Sequence, residues 1–242
     1  MALKSIEGYH SMCKSRTIFK GSGPRFIGME IEKSKHLDGY DHNRFEEVPL
    51  IQRYERDGSC GYEYITYAYE LSDRGFEQFH EDVNKSKTFL NLPINTKCGG
   101  HITVSKKQTT NQQMFNMMVE TKALSFIFSL YRARLNNQYC GFNPTMTTGH
   151  YALRKREHTS LEFRLVPAFK DEKQVLFRYQ LFNLAVKAKF RLKKAINLCE
   201  KEINSRSMEL TLKFQKDFQK VLEGKEPSER LRNYLKFYKQ TF

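Results

Sequence analysis

The chain has 242 residues, of which 39% are hydrophobic, and it carries a formal net charge of +14 at pH 7. This length can bury one sizeable core, and the apolar content excludes disorder as the main state. No stretch approaches the roughly 20 apolar residues of a membrane span. The N-terminal residues also lack the apolar core of a signal peptide, so we expect a cytoplasmic protein with no membrane partner.

The five cysteines are an odd number and are spread widely along the chain. A disulfide framework is therefore not expected, and reduced thiols fit a cytosolic setting. Cys98 and His101 form a CxxH motif, but no second pair lies at the spacing of a zinc ribbon. Because a structural zinc site normally needs four ligands, we do not predict one.

The first half of the chain predicts strands followed by a helix. Residues 1–24 end in GSGP and are interpreted as a loosely structured lead-in. RFIGMEIEK alternates as a half-buried strand does, with its isoleucines and methionine on one face and Glu30 and Glu32 on the other. After a polar connection over 33–48, a β-hairpin is predicted from IQRYER through the turn Asp57-Gly58-Ser59 to YEYITYAY.

Helical spacing dominates the rest of the chain. A helix is predicted from Ser72, as a possible N-cap, to Phe89, and a short strand CGGHITVS follows it. Thr110 to Asn136 is predicted as one buried helix, residues 137–157 as a loop, and TSLEFRLVPAF as an alternating strand. The remaining helices are predicted over 171–202, 207–222 and 227–240.

Four of these segments place charged or polar side chains on one face of a strand. Successive strand residues point to opposite faces, so residues two apart share a face. Clustered carboxylates repel one another unless they take up protons or bind cations, and oxygen ligands suit Mg²⁺ or Mn²⁺. Each motif alone is weak, since a lone ExE or a lone histidine is common in structural roles. The pairs that share a face are Glu30 with Glu32, His101 with Thr103, and Glu162 with Arg164. In the hairpin, Asp57 lies at the turn and Glu63 on the returning strand.

The series FIGMEIE, RDGSCGYEYIT, CGGHITVS and SLEFRLVPA resembles the amidoligase family, which consists of small relatives of glutamine synthetase. The resemblance covers about residues 25–190, which it marks as the catalytic domain, and leaves 191–242 as a C-terminal helical extension packed on the same domain. It implies an α+β fold with a curved, mostly antiparallel sheet and flanking helices. The concave face of that sheet would bind ATP and Mg²⁺, with Mn²⁺ as the alternative.

The resemblance also implies a ligand set and a reaction. A substrate carboxylate would attack the γ-phosphate of ATP, and an amine would displace phosphate from the acyl phosphate to form an amide or isopeptide bond. Relatives often carry a second histidine where this chain has Thr103. Arg164 and Glu162 are implied as catalytic residues, with Arg156 as a further candidate, and Arg164, Arg154 and Glu63 as nucleotide-binding residues. The implied metal ligands are Glu30, Glu32, Asp57, Glu63, His101 and Glu162.

Further candidates surround that set. Arg132 and Arg134 share the region between His101 and Glu162 with Arg154 and Arg156, although a surface role is the simpler interpretation for each of the four arginines. Tyr139 and Cys140 resemble a segment near the acceptor pocket. Substrate specificity would reside in the loops 33–50 and 137–157.

Two alternatives stay open at the level of the sequence. Acidic strands in a basic protein also suit a metal-dependent nuclease, although no catalytic lysine lies at the usual short spacing from the acids. The basic residues of the C-terminal third also suit a non-enzymatic protein that binds nucleic acid or another acidic polymer, and a solvated helix face is the simplest explanation of that charge.

Overall fold

Strands dominate the first half of the chain and helices the second, in a computed structural model that describes residues 17–35, 48–135, 140–142, 151–156 and 159–237. The protein is a mixed α+β structure whose strand pairs are mostly antiparallel. Two units are distinguished: Met1–Val104 with Pro167–Tyr179, and Ser105–Val166 with Gln180–Phe242. Within the described part of the chain, none of the helices is long and apolar enough to cross a membrane.

The first unit is built on the long strand β2. Strands β4 and β5 pair antiparallel with successive parts of β2, β3 pairs antiparallel with β4, and β1 pairs parallel with β5. Strand β6 lies next to β2 on its other side and ends in the second unit. The strands are β1 (Phe19–Lys20), β2 (Arg25–Lys33), β3 (Ile51–Asp57), β4 (Gly61–Thr66), β5 (Ala68–Glu70) and β6 (Gly99–Lys106).

The predicted alternation of RFIGMEIEK is confirmed in β2, where the isoleucines and the methionine are buried. The opposite face differs from the prediction of a half-buried strand, because Phe26 and Glu32 are buried there as well. Lys33, which ends the apolar face, is also buried. The Lys33 ammonium donates hydrogen bonds to the carbonyl oxygens of Leu90 (2.6 Å), Leu92 (3.1 Å) and Phe169 (2.8 Å). Burial lowers the pKa of Lys33 from 10.5 to about 8, since a low-dielectric environment disfavours the charged form.

The predicted lead-in is wrong for its last residues. Phe19–Lys20 form strand β1, and the Lys20 ammonium lies 2.5 Å from Oδ2 of Asp82 and 3.0 Å from the carbonyl oxygen of Pro49. A charge-assisted bond of this kind anchors the strand to the helix that carries Asp82. Residues 1–16 and 36–47, which include most of the predicted lead-in and connection, lie outside the described residues.

Helix α1 (Asp73–Lys85) begins as predicted, because the hydroxyl of Ser72 accepts a hydrogen bond of 3.0 Å from the N–H of Gly75. It ends earlier than predicted, and α2 (Lys87–Leu90) follows it. The hydroxyl of Ser86 donates to the carbonyl oxygen of Asp82 at 2.7 Å. This local bond competes with the helical backbone pattern, as serine often does.

In the second unit, β7 (Leu153–Arg156) pairs antiparallel with β8 (Ser160–Pro167), whose last residue belongs to the first unit. The prediction of a loop over 137–157 is therefore wrong at 153–156, where the backbone pairs with a neighbouring strand. Of the remaining loop residues, 137–139, 143–150 and 157 lie outside the described residues.

The predicted helix from Thr110 to Asn136 is also wrong as a single element. It consists of α3 (Asn111–Glu120), α4 (Ala123–Leu130) and a 3₁₀ turn at Arg132–Arg134. Lys122 adopts a left-handed backbone with φ of 63° and interrupts the helix. The interruption separates an amphipathic helix from α4, which is buried almost all round, so the two need different orientations.

The last part of the chain is helical, and one of its helices packs on α4 through the stacked rings of Phe218 and Phe128, whose centroids are 5.9 Å apart. The predicted helix over 171–202 is wrong as one element, since α5 (Glu172–Ala185) and α6 (Leu192–Cys199) are separate. Between them, the ring of Phe190 contacts that of Phe126 in α4, with centroids 5.6 Å apart, and closely spaced cations oppose a continuous helix there. Helices α7 (Ser205–Leu222) and α8 (Glu229–Phe237) confirm the last two predicted helices.

Candidate metal centre

A row of three glutamates crosses neighbouring strands of the first unit. Glu32 of β2 is directly opposite Glu63 of β4, and Glu63 is directly opposite Glu55 of β3. Residues opposite each other in an antiparallel ladder share a face of the sheet and have Cβ atoms about 5 Å apart. All three side chains are buried, so the strand register alone assembles three carboxylates in a region with little access to water.

The imidazole of His101 lies between two carboxylates of β2. Its Nδ1 is 2.5 Å from Oε2 of Glu30, and its Nε2 is 3.5 Å from Oε1 of Glu32. The second oxygen of Glu32 accepts a hydrogen bond of 2.5 Å from the N–H of Gly99, at the start of the strand that carries His101. These bonds fix the orientation of the His101 and Glu32 side chains, as contacts around a metal ligand commonly do.

The glycine before His101 has a packing reason. A Cβ atom on Gly100 would lie 2.6 Å from the ring of Phe169 and 2.7 Å from the carbonyl oxygen of Pro167. Any larger residue would push the strand away from this neighbour. Gly100 thus allows the close approach that sets the position of His101 on β6.

The sequence analysis did not select Glu55, although it occupies the centre of β3. Its side chain is 2% exposed, and its Oε1 accepts a hydrogen bond of 3.0 Å from Nε of Arg53. Arg53 and Glu55 are two apart on the strand, so the period-two pattern that selected Glu30 and Glu32 also marks this pair. The guanidinium offsets the charge that Glu55 adds to the row.

Three of these side chains have the geometry of a cation site. One ligand atom each from Glu32, Glu63 and His101 lies within 4.8 Å of the others, and all three residues are buried. Ligands about 2.1 Å from a Mg²⁺ or Mn²⁺ ion are at most about 4.2 Å apart, so small side-chain movements close the set. Carboxylate oxygens with one imidazole nitrogen suit Mg²⁺, Mn²⁺ or Zn²⁺, with water completing the coordination.

Electrostatics favours the same conclusion. Glu30, Glu32 and Glu63 bring three carboxylates around one imidazole, and an imidazole carries at most one positive charge. Carboxylates held close together in a buried site favour the binding of a positive charge. The residues present therefore fit a divalent cation, which would be held by Glu32, Glu63 and His101, with Glu30 oriented by the same imidazole.

Asp57 has a different role in the structure. Its Oδ1 accepts hydrogen bonds from the N–H groups of Ser59 (2.6 Å) and Cys60 (3.0 Å) and from the Ser59 hydroxyl. Burial alone would raise the pKa of Asp57, but these hydrogen bonds outweigh burial and lower it. Within the described residues Asp57 does not join the group of ligand atoms around His101; it closes the predicted hairpin turn.

The second unit contains a cluster of three arginines around one carboxylate. Glu162 of β8 is fully buried, and its oxygens are contacted by Nη1 of Arg164 at 2.8 Å, by Nε of Arg154 at 2.9 Å and by Nε of Arg156. Arg154 is directly opposite Glu162 across the strand pair. Three guanidiniums around one carboxylate leave an excess of positive charge, which suits phosphate oxygens.

The arginine cluster depends on β7, which the sequence analysis interpreted as a loop. Because Arg154 and Arg156 are two apart on a strand, they present their side chains on one face. All three arginines keep between 12% and 33% of their side-chain surface exposed. The cluster is therefore accessible to an anion even though its carboxylate is not.

Among the described residues, the other candidates from the sequence have contacts elsewhere in the fold. Arg132 donates to the carbonyl oxygen of Ser129 (2.9 Å) and to the hydroxyl of Thr211 (3.2 Å), so it ties α4 to α7. Arg134 lies in the 3₁₀ turn, where its carbonyl oxygen accepts from the buried thiol of Cys140 at 2.9 Å. Thr103 is half-buried on β6, and Tyr139 lies outside the described residues.

Comparison with known proteins leaves the family open, because no protein-family model and no curated protein matches the chain. The resemblance to amidoligases thus remains a hypothesis. It rests on four short motifs and on the geometry of the residues that those motifs carry.

Proposed function

We propose that the protein is an ATP- and Mg²⁺-dependent carboxylate–amine ligase, with Mn²⁺ as an alternative cation and a glutamine synthetase-like fold. The observation that carries the proposal is the buried group of Glu32, Glu63 and His101, whose ligand atoms lie within 4.8 Å of one another. A hard cation at such a site would polarise phosphate oxygens and offset their charge during phosphoryl transfer.

The acidic and the basic residues would have different roles in this reaction. Glu32, Glu63 and His101 would hold the cation, with Glu30 fixing the imidazole through its 2.5 Å contact. In the second unit, Arg154, Arg156 and Arg164 have the charge and the planar donors to bind phosphate oxygens of the nucleotide. Phosphoryl transfer needs little covalent help from the protein, so positioning and charge compensation would be its main contributions.

The proposed reaction has two steps. An oxygen of the substrate carboxylate attacks the γ-phosphorus of ATP, the bond from that phosphorus to the bridging oxygen breaks, and ADP leaves. The nitrogen of the amine then attacks the carbonyl carbon of the acyl phosphate, inorganic phosphate leaves, and the amine loses a proton. Formation of an amide bond from a carboxylate needs this activation because the carboxylate is a poor electrophile.

The test uses hydroxylamine as the amine, since it converts an acyl phosphate into a hydroxamate. The full chain is incubated with ATP, Mg²⁺ and a panel of carboxylates, and ADP and hydroxamate are measured. We expect both products to depend on Mg²⁺ and to be lost in Glu32→Gln and His101→Asn. Glu81→Gln is the matched control, because Glu81 is an exposed residue of the same unit.

Two outcomes would contradict the proposal. One is formation of ADP and hydroxamate by Glu32→Gln at the rate of the unmodified chain, which would remove the cluster from the reaction. The other is Mg²⁺-dependent cleavage of DNA or RNA without ATP and no hydroxamate with any carboxylate, which would favour the nuclease.

A further inference from the structure

A short run of exposed cations joins α5 to α6 in the second unit. Five of the eight residues 187–194 are basic, and none of the eight is acidic. Four of the five are exposed and Lys187 is half-buried. We call this set the basic patch, and its members are Lys187, Lys189, Arg191, Lys193 and Lys194.

The basic patch differs from the other basic surface of its unit. Along α7 and α8, cations are matched with acids, as in Lys213 with Glu209 (2.9 Å) and Arg230 with Asp217. Within the part of the chain that the structure describes, none of the five patch residues forms an ion pair with a carboxylate. Its positive charge is therefore not offset locally.

The charge of the basic patch is also unfavourable for the N-terminus of α6, where the patch ends. Arg191 is the N-cap of α6, and its side chain accepts no hydrogen bond from the first N–H groups, because a guanidinium has no acceptor atom. Lys193 and Lys194 follow in the first turn, where the helix dipole disfavours positive charge. An anion at this position would offset the cations and accept from the uncapped N–H groups, so an anionic partner would stabilise the arrangement.

We propose that the basic patch binds the phosphate backbone of a nucleic acid, independently of the ligase activity. Several phosphates in succession match several closely spaced cations, and their counterions are released on binding. A membrane surface suits the patch less well because interfacial binding also needs apolar side chains that insert between lipids. Here Phe190 packs on Phe126, which leaves Leu192 as the one exposed large apolar side chain among residues 187–194.

The test measures binding of the full chain to a fluorescein-labelled 20-nucleotide strand and to its duplex by anisotropy, at several salt concentrations and without ATP. The double variant K193Q/K194Q should bind more weakly, and the slope of log K against log salt for the duplex should fall by about 2, since two phosphate contacts are lost. The matched control K213Q/K225Q removes the same charge from lysines that already face Glu209 and Glu223. It should keep the slope of the unmodified chain.

Three outcomes would overturn the proposal. The first is no binding of either nucleic acid at low salt. The second is an equal loss of affinity and slope in both double variants, which would assign the binding to net charge rather than to the patch. The third is tighter binding of vesicles containing anionic phospholipid, lost in K193Q/K194Q, because the partner would then be a membrane surface.

Discussion

Replacing Glu63 with Gln removes one charge from the centre of the carboxylate row and keeps the shape of the side chain. Ligand atoms of Glu63 and Glu32 lie within 4.8 Å of each other, and two unit charges at that separation repel by about 3.5 kcal/mol at an effective dielectric constant near 20. The hydrogen bond that Glu32 accepts from the N–H of Gly99 stabilises one of the two carboxylates and offsets part of this repulsion. Without metal, Glu63→Gln should therefore stabilise the protein by about 1–3 kcal/mol.

The same substitution should weaken cation binding, because an amide oxygen is a neutral and weaker ligand than a carboxylate. For the unmodified chain, a cation at about 100 times its Kd adds about 2.7 kcal/mol to the free energy of unfolding. For a protein of this size, that corresponds to a rise in Tm of about 5–10 °C. Glu63→Gln should lose most of that rise while its metal-free Tm exceeds that of the unmodified chain.

Thermal unfolding in EDTA and in increasing Mg²⁺ or Mn²⁺ measures both effects in one series. Glu81→Gln, which changes an exposed carboxylate of the same unit paired with Lys85, should show the metal-free Tm and the cation response of the unmodified chain. The reasoning is refuted if Glu63→Gln lowers the metal-free Tm and keeps the full rise with Mg²⁺ and Mn²⁺. That pair of results would mean that Glu63 forms stabilising contacts and holds no cation.

Three further predictions address the remaining roles. Asp57→Asn should keep the cation-dependent rise in Tm and lose about 1 kcal/mol of stability from the weakened turn bonds; loss of the rise would make Asp57 a ligand. Arg156→Gln should raise the KM for ATP about tenfold or more. The control Arg132→Gln should lower Tm by breaking its bonds to α7 and leave that KM unchanged. An equal KM for ATP in Arg156→Gln and the unmodified chain would exclude the arginine cluster from nucleotide binding. The pKa of Lys33 is about 8 in the folded protein against 10.5 in the unfolded chain. As the pH is raised, the folded state therefore releases this proton before the unfolded state does. The free energy of unfolding should rise by up to about 3 kcal/mol between these two pH values. Lys33→Met should lack that rise in denaturant titrations, and an equal rise in both proteins would refute the assignment.

Local pattern predicted much of the first unit. The alternation of β2, the turn at Asp57 and the N-cap at Ser72 depend on residues close in sequence, so they could be read without the structure. Lys33 could not, because its burial depends on carbonyl oxygens from residues about 60 and 136 positions away. A lysine at the end of a strand is normally exposed to solvent.

The second unit shows where local pattern was insufficient. Helical spacing continues through Lys122, so the sequence predicted one helix, but tertiary packing places a left-handed residue there. Arg154 and Arg156 lie among polar residues typical of a loop, and their strand is formed only by pairing with β8. Tertiary contacts outweigh local preference at such positions.

Four residues of the candidate metal centre were predicted from the sequence, but the row of glutamates across the strands was not. Glu30, Glu32, Glu63 and His101 were selected from the sequence, and the structure brings them together in the first unit. Glu55 was missed because its importance follows from register: it faces Glu63 across the hairpin, and Glu63 faces Glu32. Register between strands is a non-local property that the period-two pattern of one strand does not contain.

The two clusters neutralise their buried carboxylates in opposite ways, and this difference bears on the proposed chemistry. Glu162 has three guanidiniums around it, although one would suffice for its charge. Glu30 and Glu32 instead share the imidazole of His101, in a chain with 41 Lys and Arg residues against 27 Asp and Glu residues. Basic residues are thus abundant in the chain, and the carboxylates at His101 and the guanidiniums at Glu162 suit ligands of opposite charge. For the proposed ligase, the carboxylates would hold the cation, and the guanidiniums would bind phosphate oxygens.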